Sequence, residues 1–304
     1  MTSKVTPQPI QVAFTRIFSE DKIVRNRMLN LLGCQVFRVI VAETLVRLRR
    51  LRLCGRMSSE ALALLRDGIV VIPQFLDESD FIAVVEEGQH AEQDFFKQQA
   101  EPDKFGIARQ KISIRKCPER FPEAIRTMLG CAKLINVVKA SEGWSSRDSF
   151  TNKDTALTYE RIEQLLDPGL PVVDHVLDAS PGDLHTDTFH TVTKAFLTLN
   201  DITLENSPYT YVFGSNRLSL RRLVWEYHNS IRPEQIISPN YLNRVWPDEQ
   251  IKLGVNDKQI KVNSNSLIIT NTFGLHHRGS MTRKGAVRKM LRLDFRSNPF
   301  GINK

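Results

Sequence analysis

The sequence has few cysteines, which stabilise small secreted folds as disulfides or zinc ligands, and it has no long apolar segment of the kind that anchors proteins in membranes. It has 4 cysteines in 304 residues, and none are spaced as zinc ligands or as a disulfide framework. No stretch approaches the roughly 18 uninterrupted apolar residues of a membrane span, and the N-terminal residues lack the pattern of a signal peptide. We therefore expect a cytoplasmic globular protein with free thiols.

Glycine and proline are also sparse, at 15 and 14 residues, which excludes a collagen-like or low-complexity chain. No internal repeat recurs at a fixed period, so a solenoid is excluded as well. Hydrophobic residues make up 41% and charged residues 25%, as in ordinary globular proteins. A chain of this length allows one large domain or two ordinary ones.

Acidic residues are scarce in one region. The formal net charge is +8, and residues 1–57 alone contain 11 Lys/Arg against 3 Asp/Glu, so the remainder is nearly neutral. A charge confined to one segment argues against a nucleic-acid-binding protein. We expect 1–57 to form a basic helical extension. Its helix 34–53 either contacts an anionic membrane surface or an acidic partner, or packs on the domain with a solvated basic face.

The remaining residues, 58–304, predict helices first and strands later. Short strands late in a chain, separated by turn signals, favour a β-barrel or jelly roll carrying helical decoration, a mainly β core with helices. The segment 216–260 interrupts the strands, and we interpret it either as a lid or substrate wall or as a structural flap. The predicted helices are 60–66, 80–98 and 120–140, and the predicted strands are 69–72, 109–116, 183–188, 193–200, 209–213, 266–271 and 286–295.

A candidate metal site begins at His185-Thr186-Asp187. Residues two apart in a strand point to one face, so an imidazole and a carboxylate would project together. They form two thirds of the facial triad that binds Fe(II) with open coordination positions. A third ligand is expected from the late tandem His276-His277, and the residue pattern alone leaves the choice between the two open.

A basic residue follows on the next predicted strand. Alternation over 287–295 places Arg288, Met290, Arg292 and Asp294 on one face, with the apolar residues on the other. A guanidinium inside a barrel requires a partner, and the distal carboxylate of a dicarboxylate co-substrate would provide one. The alternative is that both arginines lie on the solvent face of an edge strand.

Several motifs between about residues 61 and 297 resemble the phytanoyl-CoA dioxygenase-like family of Fe(II)/2-oxoglutarate oxygenases. The resemblance implies a double-stranded β-helix in which His185, Asp187 and His277 bind iron and Arg288 binds 2-oxoglutarate. His277 is preferred because its 11-residue interval to Arg288 matches the family's spacing. The motifs are Leu65-Arg-Asp-Gly-Ile-Val-Val-Ile-Pro-Gln-Phe-Leu76, His185-Thr-Asp187, Lys194-Ala-Phe-Leu-Thr-Leu-Asn-Asp-Ile-Thr-Leu-Glu-Asn206, Phe213-Gly-Ser-Asn216 and His277-Arg-Gly-Ser280 through Arg288.

Two turns depart from the family pattern. Asn206-Ser207-Pro208 stands where the family usually has Asn-Gly-Pro, and Phe213-Gly-Ser-Asn216 stands where it usually has Pro-Gly-Ser-His. The carboxylate ligand is kept at Asp187, whereas related halogenases replace it with a small residue. The resemblance therefore indicates oxidation of the substrate and argues against halogenation.

The function implied by the resemblance is a dioxygenase that uses Fe(II), 2-oxoglutarate and O2 and releases succinate and CO2. We expect it to hydroxylate a C–H bond of a small, anionic metabolite or natural-product intermediate. Candidate substrate contacts are His190, Trp225 and Arg292. The alternatives are a cupin-like metal enzyme that does not use 2-oxoglutarate, or a non-catalytic barrel acting as a binding module. The sequence leaves the oligomeric state open.

Overall fold

The computed structural model describes residues 17–18, 23–24, 26–53, 55, 57–96, 100–103, 105–144, 155–168, 184–232, 243–295 and 299–300. Most of its helices precede the barrel strands. None of the helices in these ranges is both long enough and apolar enough to cross a membrane. They are α1 (Arg27–Leu31), α2 (Cys34–Leu51), α3 (Ser59–Asp67), α4 (Glu78–Phe95), α5 (Pro122–Ala124) with a π-helical turn at Ile125–Leu129, α6 (Ala132–Glu142), α7 (Leu220–Ser230) and α8 (Pro247–Leu253).

The strands form two antiparallel sheets. The six-stranded sheet has the order β1-β9-β5-β11-β3-β2, and the five-stranded sheet has the order β7-β4-β10-β6-β8. Together they make the double-stranded β-helix that the sequence predicts. The strands are β1 (Ile69–Ile72), β2 (Ile107–Ser113), β3 (Thr155–Gln164), β4 (His185–Thr186), β5 (Thr193–Thr198), β6 (Tyr209–Tyr211), β7 (Asn243–Arg244), β8 (Lys258–Ile260), β9 (Leu267–Asn271), β10 (His276–Arg278) and β11 (Val287–Phe295).

Strand β11 lies at the centre of the six-stranded sheet, between β5 and β3. Its residues Leu291, Leu293 and Phe295 are fully buried in the main hydrophobic cluster, together with residues of α3, α4 and α6. The alternating residues Arg288 and Arg292 therefore point to the opposite face, into the barrel. This excludes the interpretation that they lie on the solvent face of an edge strand.

The longest strand was not predicted. β3 pairs with β11 from Thr155 to Glu163 and also with β2. Leu157 and Tyr159 enter the main core, while Glu160 is buried on the other face. Strand β3 therefore supplies the barrel interior with its own acidic side chain.

Helix α2 of the basic segment packs on the barrel. Val39 and Ala42 are fully buried. The buried Glu43 carboxylate accepts hydrogen bonds from the Thr191 backbone N–H at 2.7 Å and from the Thr191 hydroxyl at 3.2 Å. Phe37 and Leu48 on its other face are more than half exposed. The packed interpretation therefore holds for the inner face, and contact of the outer face with a membrane or partner stays a prediction.

The described parts of 216–260 belong to the five-stranded sheet and its cover. β7 pairs with β4, and β8 pairs with β6. Trp225 of α7 packs in an apolar cluster with Val212 and Leu275. Because Val212 and Leu275 neighbour the inward residues Tyr211 and His276, this cluster lies on the outer face of the sheet.

Candidate metal centre

Two adjacent strands carry the histidines of the candidate site. β4 pairs antiparallel with β10, and His185 lies directly opposite His276. Opposed residues in neighbouring strands point to the same face, and the two imidazole centroids are 4.6 Å apart. Asp187 follows β4, and its backbone N–H donates to Thr272 O over 3.1 Å. The sheet register therefore fixes all three side chains at one place in the barrel.

His185, Asp187 and His276 offer ligand atoms that all lie within 4.8 Å of one another. His185 Nε2 is 3.9 Å from Asp187 Oδ1, and His276 Nε2 is 3.5 Å from Asp187 Oδ2. Two imidazole nitrogens and one carboxylate oxygen are the donor set of a facial Fe(II) site. The residues present therefore fit such an ion.

The imidazole of His276 is oriented by its backbone surroundings. Its Nδ1 lies 2.9 Å from Gly274 O, so Nδ1 carries the proton and Nε2 presents a lone pair toward Asp187. Tyr209 stacks on the ring with centroids 5.6 Å apart. Gly274 is required beside this ring, because a Cβ there would collide with the Tyr211 side chain.

A lysine from β5 compensates the charge of Asp187. Lys194 Nζ donates to Asp187 Oδ2 over 2.5 Å and lies 3.7 Å from Asp294 Oδ1. Burial alone would raise the pKa of Asp187, but the ammonium group of Lys194 holds it well below the usual carboxyl range. Asp187 is therefore ionised, as a metal-binding carboxylate must be.

The structure corrects the preference for His277 as the third member of the cluster. His277 Nε2 lies 3.0 Å from Asp257 Oδ2, and its Nδ1 lies 3.0 Å from Arg278 O. The physical reason is strand alternation: Leu275 and His277 point outward, and His276 points inward. The spacing of 11 residues to Arg288 therefore selects the wrong histidine by one position.

Arg288 lies deep in the barrel, with 6% of its surface exposed. Its Nη1 donates to Ser207 O over 2.5 Å, and its Nη2 is 4.0 Å from Glu160 Oε2. Its Nε is buried and has no hydrogen-bond partner in the described part of the chain. Beside it is a cavity of about 30 Å³ that Tyr209 also lines. A buried donor without a partner is costly, so the guanidinium of Arg288 is incompletely paired within the barrel.

Ser207, which holds Arg288, stands where the resembling family usually has glycine. Its φ is +66°, in the left-handed region that glycine adopts most readily. The Ser207 hydroxyl donates to Gly279 O over 2.6 Å. The turn is thus built in spite of the departure in sequence, and its carbonyl points at the guanidinium.

Glu160 is the buried acid among the barrel's cations. Its Oε1 lies 3.3 Å from Lys111 Nζ and 3.6 Å from Arg109 Nε. Burial works against ionisation of Glu160, but Arg288 and Lys111 hold its pKa below the usual value. Burial lowers the pKa of Arg288 to about 10 in spite of Glu160, so that guanidinium stays charged at neutral pH.

Arg292, a predicted substrate contact, lies on the inner face of β11 one inward position from Asp294. Its Nη2 is 2.8 Å from Asp294 Oδ2. Burial acts to lower the pKa of Arg292, but Asp294 raises it above the usual value. Asp294 is also the second carboxylate beside Lys194. The structure therefore connects Arg292 to the metal cluster through Asp294 and Lys194.

The other two predicted substrate contacts lie elsewhere. His190 is buried against Phe189, and its Nδ1 lies 3.1 Å from Thr191 O. Burial lowers the pKa of His190 to about 4, so it is a neutral packing residue. Trp225 lies on the outer face of the five-stranded sheet, where its Nε1 donates to Glu249 Oε2 over 3.1 Å. Neither residue belongs to the group of atoms around His185, Asp187 and His276.

Sequence reasoning missed Lys194 and Tyr209 as members of the site. Both had a usable signal, since alternation in β5 and β6 assigns them to the inner face once Ala195 and Leu197 are placed in the core. A lysine at an inward position of a barrel strand requires an acid partner, and Asp187 is the preceding acid in the chain. Comparing the inward positions of successive strands would have paired them.

Several solved structures are similar to this chain. The epimerase SnoN, solved with Fe3+, alpha-ketoglutarate and nogalamycin RO, matches at 15% identity and a TM-score of 0.51, over 80% of this chain and 86% of SnoN. The carbocyclase SnoK matches at 13% identity and a TM-score of 0.47, over 79% and 84%. HygX from Streptomyces hygroscopicus, solved with nickel and 2-oxoglutarate, matches at 14% identity and a TM-score of 0.44, over 79% and 87%.

At sequence identities this low, a structural match shows a shared fold and nothing more. No protein-family model and no curated protein matches the sequence. SnoN, at a TM-score above 0.5, supports the assignment that the strand order already gives. The chain has the double-stranded β-helix fold of the iron- and 2-oxoglutarate-dependent oxygenases.

Proposed function

We propose that this protein is an Fe(II)- and 2-oxoglutarate-dependent oxygenase. The observation that carries the proposal is the convergence of His185, Asp187 and His276 on one point, with the incompletely paired Arg288 buried further along the same barrel. The first group fits a ferrous ion, and the second fits the distal carboxylate of 2-oxoglutarate. We further propose, from the motifs quoted above, that the chain is of the phytanoyl-CoA dioxygenase-like branch.

Different side chains would bind the metal ion and the co-substrate. His185, Asp187 and His276 would hold Fe(II), and Arg288 would pair with the co-substrate. With 2-oxoglutarate and O2, iron at such a site supplies the oxidising chemistry that hydroxylates a C–H bond and yields succinate and CO2. Lys194 keeps the Asp187 carboxylate in place over its 2.5 Å hydrogen bond.

The charge inside the barrel indicates the class of substrate. Glu160 is surrounded by cations of β2 and β11, including Lys111 and Arg288. Lys194 of β5 adds a further cation beside Asp187. The register also places Arg244 on the inner face, opposite His185, so the cations of the described inner face outnumber the acids Glu160, Asp187 and Asp294. The two charges of Fe(II) and the two of 2-oxoglutarate cancel, so the excess of positive charge remains for the substrate. We infer a small substrate that carries a carboxylate or another anionic group.

Two other functions predict different binding results. A cupin-like enzyme that does not use 2-oxoglutarate would bind the metal but would leave Arg288 without its ligand. A non-catalytic barrel would bind neither. The buried and unpaired Nε of Arg288 favours the use of 2-oxoglutarate over these two alternatives, because an anionic acceptor at that position would complete its hydrogen bonding.

Anaerobic reconstitution tests the proposal. We expect the protein to bind one equivalent of Fe(II) and then 2-oxoglutarate, with the visible charge-transfer band of a chelated keto acid. A screen of small carboxylates and phosphates should then give substrate-dependent succinate. Asp187→Ala should abolish the band and the succinate, whereas His277→Ala should keep the band. Metal binding without 2-oxoglutarate binding would favour the cupin-like alternative, and no metal binding would favour the binding module.

Other expectations stay predictions. The cytoplasmic location, the division into a basic extension and an oxygenase domain, and the absence of nucleic-acid binding rest on composition and charge. The described cysteines, Cys34, Cys117 and Cys131, are free thiols.

A further inference from the structure

A second and larger cavity lies behind the five-stranded sheet. It encloses about 550 Å³, within the usual range for small-molecule sites of about 300–1,000 Å³. Its floor includes Val212 and Leu275, which neighbour Tyr211 and His276 in sequence. Successive residues of extended backbone point to opposite faces. The cavity therefore lies on the opposite face of the sheet from the metal cluster.

The rim of this cavity carries four arginines. Arg47 comes from α2, Arg217 from the turn before α7, and Arg221 and Arg222 from the first turn of α7. Among the described residues that line the cavity there is no aspartate or glutamate. Two acids nearby offset part of this charge: Glu226 pairs with Arg222 at 3.0 Å, and Asp67, which pairs with Arg66 at 2.7 Å, also interacts with Arg217. With four arginines and two partly compensating acids, the cavity keeps an excess of positive charge.

One of these arginines is buried and incompletely paired. Arg222 is 5% exposed, its Nε donates to Glu226 Oε1 over 3.0 Å, and its Nη2 donates to Phe273 O over 3.1 Å. Its Nη1 is buried and has no hydrogen-bond partner in the part of the chain that the structure describes. The guanidinium of Arg222 is therefore incompletely paired, and Arg222 is one of the residues that line the cavity.

The start of α7 adds to the positive potential. Ser219 caps this 11-residue helix by accepting from the Arg222 N–H, and Ser219 also lines the cavity. The amino end of a helix carries a partial positive charge that stabilises anions. The opposite wall is apolar and includes Leu253 and Val255. The cavity thus combines an anion-binding rim with an apolar interior.

We propose that this cavity binds a small organic phosphate. Arginines and a helix amino end match the nearly double charge of a phosphomonoester and its oxygen acceptors. The apolar wall would cover the organic part of the ligand. The basic segment 1–57 then has a local role, because Arg47 supplies one of the four guanidinium groups. This proposal does not depend on the proposed oxygenase activity.

Calorimetric titration of the full-length protein with 1-naphthyl phosphate tests the proposal. We expect one site, with binding at least about tenfold tighter than that of 1-naphthol or inorganic phosphate alone, since each lacks half of the recognised groups. The double variant Arg217→Ala/Arg221→Ala should weaken binding about tenfold or more. Both side chains are exposed, so the fold should be kept, as circular dichroism would verify.

Two controls locate the site. Arg115→Ala removes an exposed arginine outside the cavity and should leave binding unchanged. Asp187→Ala alters the metal centre and should also leave it unchanged. The proposal is overturned if the probe does not bind, if the double variant binds it as tightly as the parent, or if Asp187→Ala alone abolishes binding. Equal binding of 1-naphthol and 1-naphthyl phosphate would equally reject an anion site.

Discussion

The tandem histidines of β10 allow a direct test of the metal centre. The structure places His276 in the cluster with His185 and Asp187, and it places His277 against Asp257. We therefore expect His276→Ala to remove a metal ligand and His277→Ala to leave all three ligands intact. The two variants change the same residue type at neighbouring positions, so each serves as the control for the other.

The size of the effect follows from the two environments. Residues that only support a metal ligand change affinity by about 10–100-fold when replaced, so loss of a ligand itself should exceed about 100-fold, or about 2.7 kcal/mol. His277 pairs at 3.0 Å with Asp257, whose side chain is 44% exposed. Such half-exposed pairs contribute about 0–1 kcal/mol. His277→Ala should therefore lower folding stability slightly and keep the metal affinity.

Metal affinity is measured anaerobically, by competition between the protein and a chromophoric chelator for Fe(II) or Co(II). Denaturant unfolding of the metal-free variants reports whether each is folded. If His277→Ala lost the metal and His276→Ala kept it, the register between β10 and β4 would be wrong by one residue, and with it the geometry of the site.

Three further outcomes follow from the barrel's charges. Arg288→Met should raise the dissociation constant for 2-oxoglutarate roughly 100-fold, since charge-assisted hydrogen bonds contribute about 1.5–3 kcal/mol each. Titration of the Mn(II)-loaded protein measures this, and a larger effect from Arg292→Met would move the anchor there. Lys194→Met should destabilise the metal-free protein by about 3 kcal/mol, because the 17%-exposed Asp187 loses its 2.5 Å partner. Denaturant unfolding should show that bound Mn(II) restores most of the lost stability. Equal losses of stability with and without metal would contradict this role of Lys194. Glu160 is buried, yet Arg288 and Lys111 hold its pKa below the ordinary 4.5, so its contribution to stability is complete above pH 4.5 and is lost as the pH falls through the lowered value. Glu160→Gln should therefore lose less folding stability than the parent as the pH falls below 4.5. An unchanged loss would show that other carboxylates cause it.

The inner face of the barrel was largely readable from sequence. Alternation in β11 separated Arg288 and Arg292 from Leu291 and Leu293, and the structure confirms that division. The reason is physical: β11 has helices on one side and the barrel interior on the other, so each face has a uniform chemistry. For such strands, the local sequence alone predicts which side chains point into the barrel.

Strand β3 was missed although it is the longest. Its residues Leu157 and Tyr159 alternate with polar ones, but Ile162 breaks the alternation by pointing inward among Ile107 and Met281. The strand also changes its surroundings along its length, from the main core to this smaller cluster. The apolar residues of β3 lie on one face in its first half and on the other face at Ile162. Predicting such a strand requires the positions of its neighbouring strands, which the local sequence does not contain.

Trp225, predicted as a substrate contact, lies outside the metal cluster for a related reason. An aromatic side chain in a long excursion between strands suits a lid and suits a structural helix equally well. In the structure, the Ser219 cap begins α7, and Trp225 fills the apolar cluster behind the sheet and donates to Glu249. The helix buries polar residues such as Glu226 and Asn229 as well, so its inner face has no clean apolar stripe.

The error between His276 and His277 has a more general cause. Spacing to Arg288 measures distance along the chain, whereas the side of a strand is set by parity, and a loop between two strands can absorb one residue without changing either strand. Leu275 held the missing information, because it is apolar and belongs with Val212 and Trp225 behind the sheet. Once Leu275 is assigned outward, His277 must be outward and His276 inward. The same parity places Arg278 inward, toward Glu160 and Arg288. Which histidine of a tandem pair joins the inner cluster is therefore decided by the apolar residue beside it.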